Sequence, residues 1–225
     1  MTTTARRRPR PVDLGKPRMR GLLHAYAFFV ALACGIVLVS LAAGRPGVAP
    51  VIGCAIYSVT VCLLFGTSAL YHRRVWSARG YQIKRRLDHS MIFVFIAGTY
   101  TPFCVLLLPP QTAAVLLAVV WTGALGGVGL KLIRPHAPRW ASAPLYLGLG
   151  WVALAVLPDL FGHGGVAPMV LLLVGGAAYS VGAMFYALRR PNPWPTVFGH
   201  HEFFHACTIV AAICHHVAVY FALFA

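Results

Sequence analysis

Seven apolar runs, each long enough to cross a bilayer as a helix, constrain this chain more than any other feature. They fall at 22–44, 48–71, 87–108, 112–133, 141–161, 166–188 and 198–224, separated by Pro, Gly or Arg clusters. A span needs roughly 20 apolar residues, so seven spans with short connections consume nearly all 225 residues. The composition agrees: 59% of the residues are hydrophobic and 10% charged, against about 45–50% and about 25% in soluble domains. The predicted fold class is an all-α membrane protein, a seven-transmembrane helix bundle. Intrinsic disorder, collagen and secreted disulfide scaffolds are excluded. The first run exceeds the 7–15 apolar residues of a signal peptide and is expected to stay in the mature protein.

Charge supplies the orientation. Cytoplasmic loops collect Lys and Arg, and with seven spans the N-terminal segment and every second connection share one side. That side receives 18 of the 19 basic residues, leaving Arg45 alone on the other. The N-terminus is therefore expected in the cytoplasm and the C-terminus outside, in the inner (plasma) membrane of the cell. Residues 1–21 carry Arg6, Arg7, Arg8, Arg10, Lys16, Arg18 and Arg20. They read as a basic, disordered tail that meets anionic inner-leaflet lipids, ahead of a membrane domain at 22–225. No aromatic residue interleaves the run and no soluble binding domain follows it, so nucleic acid is not an expected partner. The six cysteines lie within apolar segments without a C-x-x-C pair and read as small buried hydrophobes. Gly123 and Gly127, and the pair Gly175 and Gly176, read as points of close helix approach.

Ionisable residues inside spans are costly and mark function by default. Asp13 is in the tail and Asp159 at the outer end of the fifth span, which leaves Asp88 and Glu202, both beside histidines. On the predicted topology Ser68 and His72 end the second span, Asp88 and His89 begin the third, and His200, His201, Glu202 and His205 begin the seventh. All fall in the cytoplasmic layer of the membrane. Ser68 and His72, like His201 and His205, are i, i+4 pairs on one helical face. His201 and His205 with His72 make a three-nitrogen set suited to Zn2+ with an open fourth position. Asp88 is then placed to bond or deprotonate a metal-activated water. Ser68 reads either as a site residue or as bonded to its own helix backbone, and His24 as support for the site or as an interfacial residue. His89, His136, His163 and His200 read singly as interfacial residues. His215 and His216 lie about 15 Å beyond His205 along a helix, too far to share its ion. Tyr71, Tyr100 and Trp194 read as interfacial aromatics.

His201-Glu202-Phe203-Phe204-His205 also spells H-E-x-x-H, in which a zinc protease uses the glutamate as general base. The longer metzincin pattern would need Gly at 208 and His at 211, where this chain has Thr208 and Ala211. A protease would take Asp88 as third ligand and leave Ser68 and His72 without a role.

Ser68-Ala69-Leu70-Tyr71-His72, Leu87-Asp88-His89-Ser90 leading into Ile96-Ala97-Gly98-Thr99-Tyr100-Thr101-Pro102-Phe103, and Phe198 through His205 together resemble the bacterial hemolysin III family. The resemblance runs from Lys16 to the last helix. That family is grouped with the progestin and adipoQ receptors and the alkaline ceramidases. The resemblance implies zinc on His72, His201 and His205, with Asp88 and Ser68 around the metal-activated water. It also implies hydrolysis of a ceramide-like or other acyl lipid in the service of membrane homeostasis. The receptors' first-span glutamate and long N-terminal domain are missing, so hormone binding is not carried over. The alternative is a non-enzymatic protein in which zinc ties helices together in a membrane sensor, regulator or haemolytic channel.

Overall fold

The structure is a computed structural model that describes residues 15–134 and 139–225. Arg6, Arg7, Arg8, Arg10 and His136 lie outside them. The described residues form a bundle of helices without a β-strand: α1 (Leu22–Ala42), α2 (Ala49–Arg73), α3 (Ala78–Leu107), α4 (Pro110–Ile133), α5 (Arg139–Trp151), α6 (Leu157–Gly164), α7 (Val166–Leu188) and α8 (His200–Leu223). Seven stretches are long and apolar enough to span, the fifth being Ala143–Gly164 across α5 and α6. The seven-helix membrane bundle read from the sequence is the fold observed.

Neighbours in sequence pack side by side, α1 on α2, α2 on α3, α3 on α4 and α7 on α8, while α8 also touches α1, α2 and α3 and closes the bundle. α3 is the central helix. Its buried residues include Phe93, Phe95, Ala97, Gly98, Tyr100 and Phe103, and it contacts α2, α4, α5, α6 and α8. Many large apolar side chains of α1, such as Phe29, Val30 and Ile36, point outward instead, as lipid-facing residues must when the solvent is hydrocarbon. The glycines read as close-approach points serve different neighbours. A Cβ on Gly123 would press on Leu149 of α5, one on Gly127 on Phe93 of α3, and one on Gly175 on the His215 ring of α8.

Two sequence expectations are corrected here. The fifth span is not one continuous α-helix: a 3-10 turn, Val152–Val156, separates α5 from α6. Tyr100, expected as an interfacial aromatic, is buried against this break. Its hydroxyl donates to the carbonyl of Gly150 at 2.6 Å, with that of Leu149 at 3.1 Å, and accepts from the N–H of Ala153 at 2.8 Å. A break in a membrane helix exposes backbone groups that hydrocarbon cannot satisfy, and one phenol supplies the missing partners. The second correction concerns residues 15–21, expected to belong to a disordered tail. The N–H groups of Arg18 and Met19 donate to the carbonyls of Thr196 and Val197, and Arg73 donates to the carbonyl of Arg18. This strap binds the start of α1 to the end of α2 and the loop before α8.

Candidate metal centre

His72 comes from the last turn of α2, His201 and His205 from the first two turns of α8. The i, i+4 spacing stacks the α8 pair on one face, and their ring centroids lie 4.5 Å apart. His72 approaches from the opposite wall, its Nε2 3.1 Å from Nε2 of His201. All three rings are buried, and one nitrogen from each lies within 4.8 Å of the others.

The donor set fits a metal. Tetrahedral zinc with bonds of about 2.0–2.1 Å holds its nitrogen ligands about 3.3 Å apart, close to the His72–His201 separation. Two buried imidazole nitrogens facing each other at hydrogen-bond distance share one proton at most, whereas a cation between three rings uses every lone pair. The buried His72, His201 and His205 cluster could therefore hold a metal ion.

Asp88 of α3 stands beside this set, its Oδ2 4.0 Å from Nε2 of His72. The Ser68 hydroxyl is turned to the Asp88 carboxylate. Asp88 thus borders the three-histidine set on its His72 side.

Behind the ligands, His24 of α1 stacks on His205, centroids 3.8 Å apart and planes 11° from parallel. It is buried rather than interfacial, and neither ring nitrogen has a hydrogen-bond partner of normal geometry. Tyr71, expected at the interface, is instead packed between the rings of His72 and Tyr81, with the ammonium of Lys16 5.8 Å from the centroid of each tyrosine ring. Trp194 is exposed in the loop before α8.

Glu202 is fully committed elsewhere. One oxygen accepts from the N–H of Gly199 at 2.8 Å, capping α8, and the other accepts from Nε of Arg20. A carboxylate holding both the helix N-terminus and a strap arginine has no oxygen turned to the histidines, so the general base of the protease reading is not provided. The Arg20–Glu202 pair escaped sequence reading because Arg20 looked like one more tail cation and the partners are 182 residues apart.

From the histidines a long cavity runs inward between α3, α4, α5, α6, α7 and α8. His24, Ser68, Asp88, His201 and His205 line it near one end, and Phe103, Leu108, Leu116 and Leu160 near the other. His89, read as interfacial, is also on its wall. The α3 stretch along it, from Arg85 to Leu108, corresponds to roughly 30 Å of helix rise, comparable to the hydrocarbon thickness of a bilayer.

A family described as haemolysin-III related matches residues 12–216. The chain is 32% identical to Hemolysin-3 of Bacillus cereus over 75% of its own length and 77% of the relative. It is 30% identical to the Hemolysin-3 homolog of Bacillus subtilis (strain 168) over 82% of its length and 84% of the relative. A plant protein, Heptahelical transmembrane protein ADIPOR2 of Oryza sativa subsp. japonica, is 36% identical over 60% of this chain and 65% of its own.

Proposed function

The chain belongs to the haemolysin-III-related family, and from that premise and the geometry of the site we propose that it is a zinc-dependent hydrolase of a membrane lipid amide or ester. The observation that carries this reading is the buried His72, His201 and His205 set, flanked by Asp88 and Ser68, at one end of a mostly apolar cavity. Zinc held there supplies Lewis acidity and lowers the pKa of water towards neutrality. The chain's own residues do the rest. Asp88 receives the proton of the attacking water and later returns it to the leaving amine or alcohol; Ser68 fixes the carboxylate through its hydroxyl. The apolar cavity holds the acyl chain so that the scissile carbonyl meets the histidine end, and stacked His24 keeps His205 oriented. The basic bias supports a site facing the cytoplasm in the plasma membrane, with the N-terminus inside and the basic tail on anionic headgroups.

A structural metal is the second reading, and one observation favours it: α2 and α8 touch little, so an ion on His72, His201 and His205 would pin two helices that otherwise barely meet. A haemolytic channel gains less support, since the far half of the cavity is lined mostly by apolar side chains, with Tyr100 and His215 as isolated polar groups among them.

The test separates the two. Detergent-purified protein should contain about one zinc per chain, as a single tetrahedral site requires, and His201→Ala or His205→Ala should remove most of it. Asp88→Asn should keep zinc yet release no fatty acid from ceramide or other acyl lipids that the unmodified protein cleaves. If no acyl lipid is cleaved and Asp88→Asn complements a deletion strain fully, the hydrolase reading gives way to the structural metal.

A further inference from the structure

About 15 Å beyond His205 along α8, at 1.5 Å per residue, a second polar group lines the same cavity. His201, His205, Thr208, Ala212 and His215 follow one another by three or four positions, so His215 repeats the helical face of the metal set. His205, Thr208 and His215 all line the wall, and from α7 so does Tyr179. The rings of Tyr179 and His215 meet edge to face, centroids 5.5 Å apart and planes 62° from parallel. α7 makes room for the histidine: a Cβ on Gly175, one turn before Tyr179, would fall 2.5 Å from both Cδ2 and Nε2 of His215.

This pair differs from the polar groups around it in its hydrogen bonding. The hydroxyls of Thr99 and Thr208 donate to the carbonyls of Phe95 and Phe204 in their own helices, and the phenol of Tyr100 is taken up by the break before α6. The Tyr179 hydroxyl and Nδ1 of His215 are buried and have no hydrogen-bond partner among the described residues. Nε2 of His215 faces the carbonyl of Leu172 at 3.4 Å. A carbonyl only accepts, so in the neutral ring that nitrogen carries the proton and Nδ1 keeps a lone pair. Buried polar groups without partners are costly, and two of them on touching rings in a cavity wall suit a small group that both donates and accepts. A hydroxyl does so: it donates to the lone pair of His215 and accepts from the phenol of Tyr179. A carboxylate has no proton to offer Nδ1, and a methylene offers neither group anything.

We propose that Tyr179 and His215 form a hydroxyl-binding subsite in the far part of the cavity, so that the preferred ligand is an acyl lipid whose chain carries a hydroxyl well away from its carbonyl. With the carbonyl at the histidine set, the chain covers about 15 Å to reach the pair, half of the roughly 30 Å hydrocarbon thickness and so about the depth of one leaflet. An unsubstituted chain meets the apolar wall equally well but leaves both polar groups unpaired. The inference rests on the lipid-binding part of the proposed function and not on hydrolysis.

Binding to the full-length, detergent-purified protein tests it, with native mass spectrometry as readout and three probes sharing the stearoyl chain: stearic acid, 12-hydroxystearic acid and 2-hydroxystearic acid. The two hydroxy acids differ only in where the hydroxyl lies, so their ratio cancels the cost of taking it out of water. The 12-hydroxy isomer should bind about fivefold to tenfold tighter than the 2-hydroxy isomer, the factor expected of one net hydrogen bond. Tyr179→Phe keeps the ring and should bring the two isomers level while zinc content and stearic acid binding stay unchanged. It should also hold or raise the Tm of the protein without lipid, because the hydroxyl it removes has no partner to lose. His215→Leu should likewise bring the isomers level. Equal binding of the two isomers to the unmodified protein overturns the subsite and assigns the pair to buried water, while bound stearic acid leaves the lipid reading standing. A preference that survives both variants overturns it too, as does a Tyr179→Phe protein that melts several degrees lower. Failure of all three probes to bind overturns the lipid reading as well.

Discussion

Gly21 shows how closely the candidate centre is set by single residues. It caps the start of α1 with φ +76°, a left-handed conformation that costs an L side chain roughly 1–2 kcal/mol. Its missing Cβ would also fall on the Cβ of His72. Gly21→Ala is therefore expected to push His72 off the other two histidines and weaken zinc binding about tenfold or more, the factor carried by about 1.4 kcal/mol. Competition with a chromogenic chelator reads that directly. Zinc affinity equal to that of the unmodified protein would mean that the strap does not position His72. The three histidines themselves were legible in the sequence, because an i, i+4 pair fixes a helical face and the span count fixes the depth. The role of Gly21 was not, since a backbone angle and a contact across 51 residues leave no periodic trace. Glu202 was ambiguous for a similar reason. Its rotation about the helix allowed two directions, and only the positions of Arg20 and Gly199 decide between them.

At the scale of the helices, hydropathy located all seven spans, yet it did not reveal that the fifth is broken. Apolar residues look alike whether they follow an α-helix or a 3-10 turn. The break is visible only in the backbone groups it leaves and in the buried phenol that reaches them. Tyr100→Phe keeps the ring and removes the hydroxyl, leaving the Ala153 N–H and the Gly150 carbonyl without their partner. Orphaned buried groups of this kind cost about 1–3 kcal/mol, so the variant should unfold several degrees below the unmodified protein in detergent. Its zinc content should be retained, because the break lies away from the histidines. An unchanged Tm would mean that the α5–α6 junction draws its stability from packing alone. The same variant tests the cavity: α5 and α6 form part of its wall, so a loosened junction should also weaken acyl-lipid binding.

For the whole molecule, the strap at Gly15–Gly21, the α2–α3 connection, the end of α4 and the loop before α8 lie at one end of the bundle, and the basic residues gather there. The strap brings Lys16, Arg18 and Arg20 to the same end as Arg73 and Arg74. The opposite end carries Arg45 in the α1–α2 connection, its guanidinium 5.3 Å from the ring centroid of Phe224. Such a division is what insertion into a bilayer selects, since loops rich in Lys and Arg are retained in the cytoplasm. The histidine set shares the basic end, so its membrane side and the orientation of the chain are one question. A reporter fused after Ala225 is expected to respond as periplasmic or extracellular, and one inserted near Ser77 as cytoplasmic. If the two reporters exchange sides, the basic end faces outward and the site draws on the outer leaflet. If both report the same side, an odd number of spans between Ser77 and Ala225 is ruled out. The shared depth of Ser68, His72, Asp88, His201 and His205 would then need another cause.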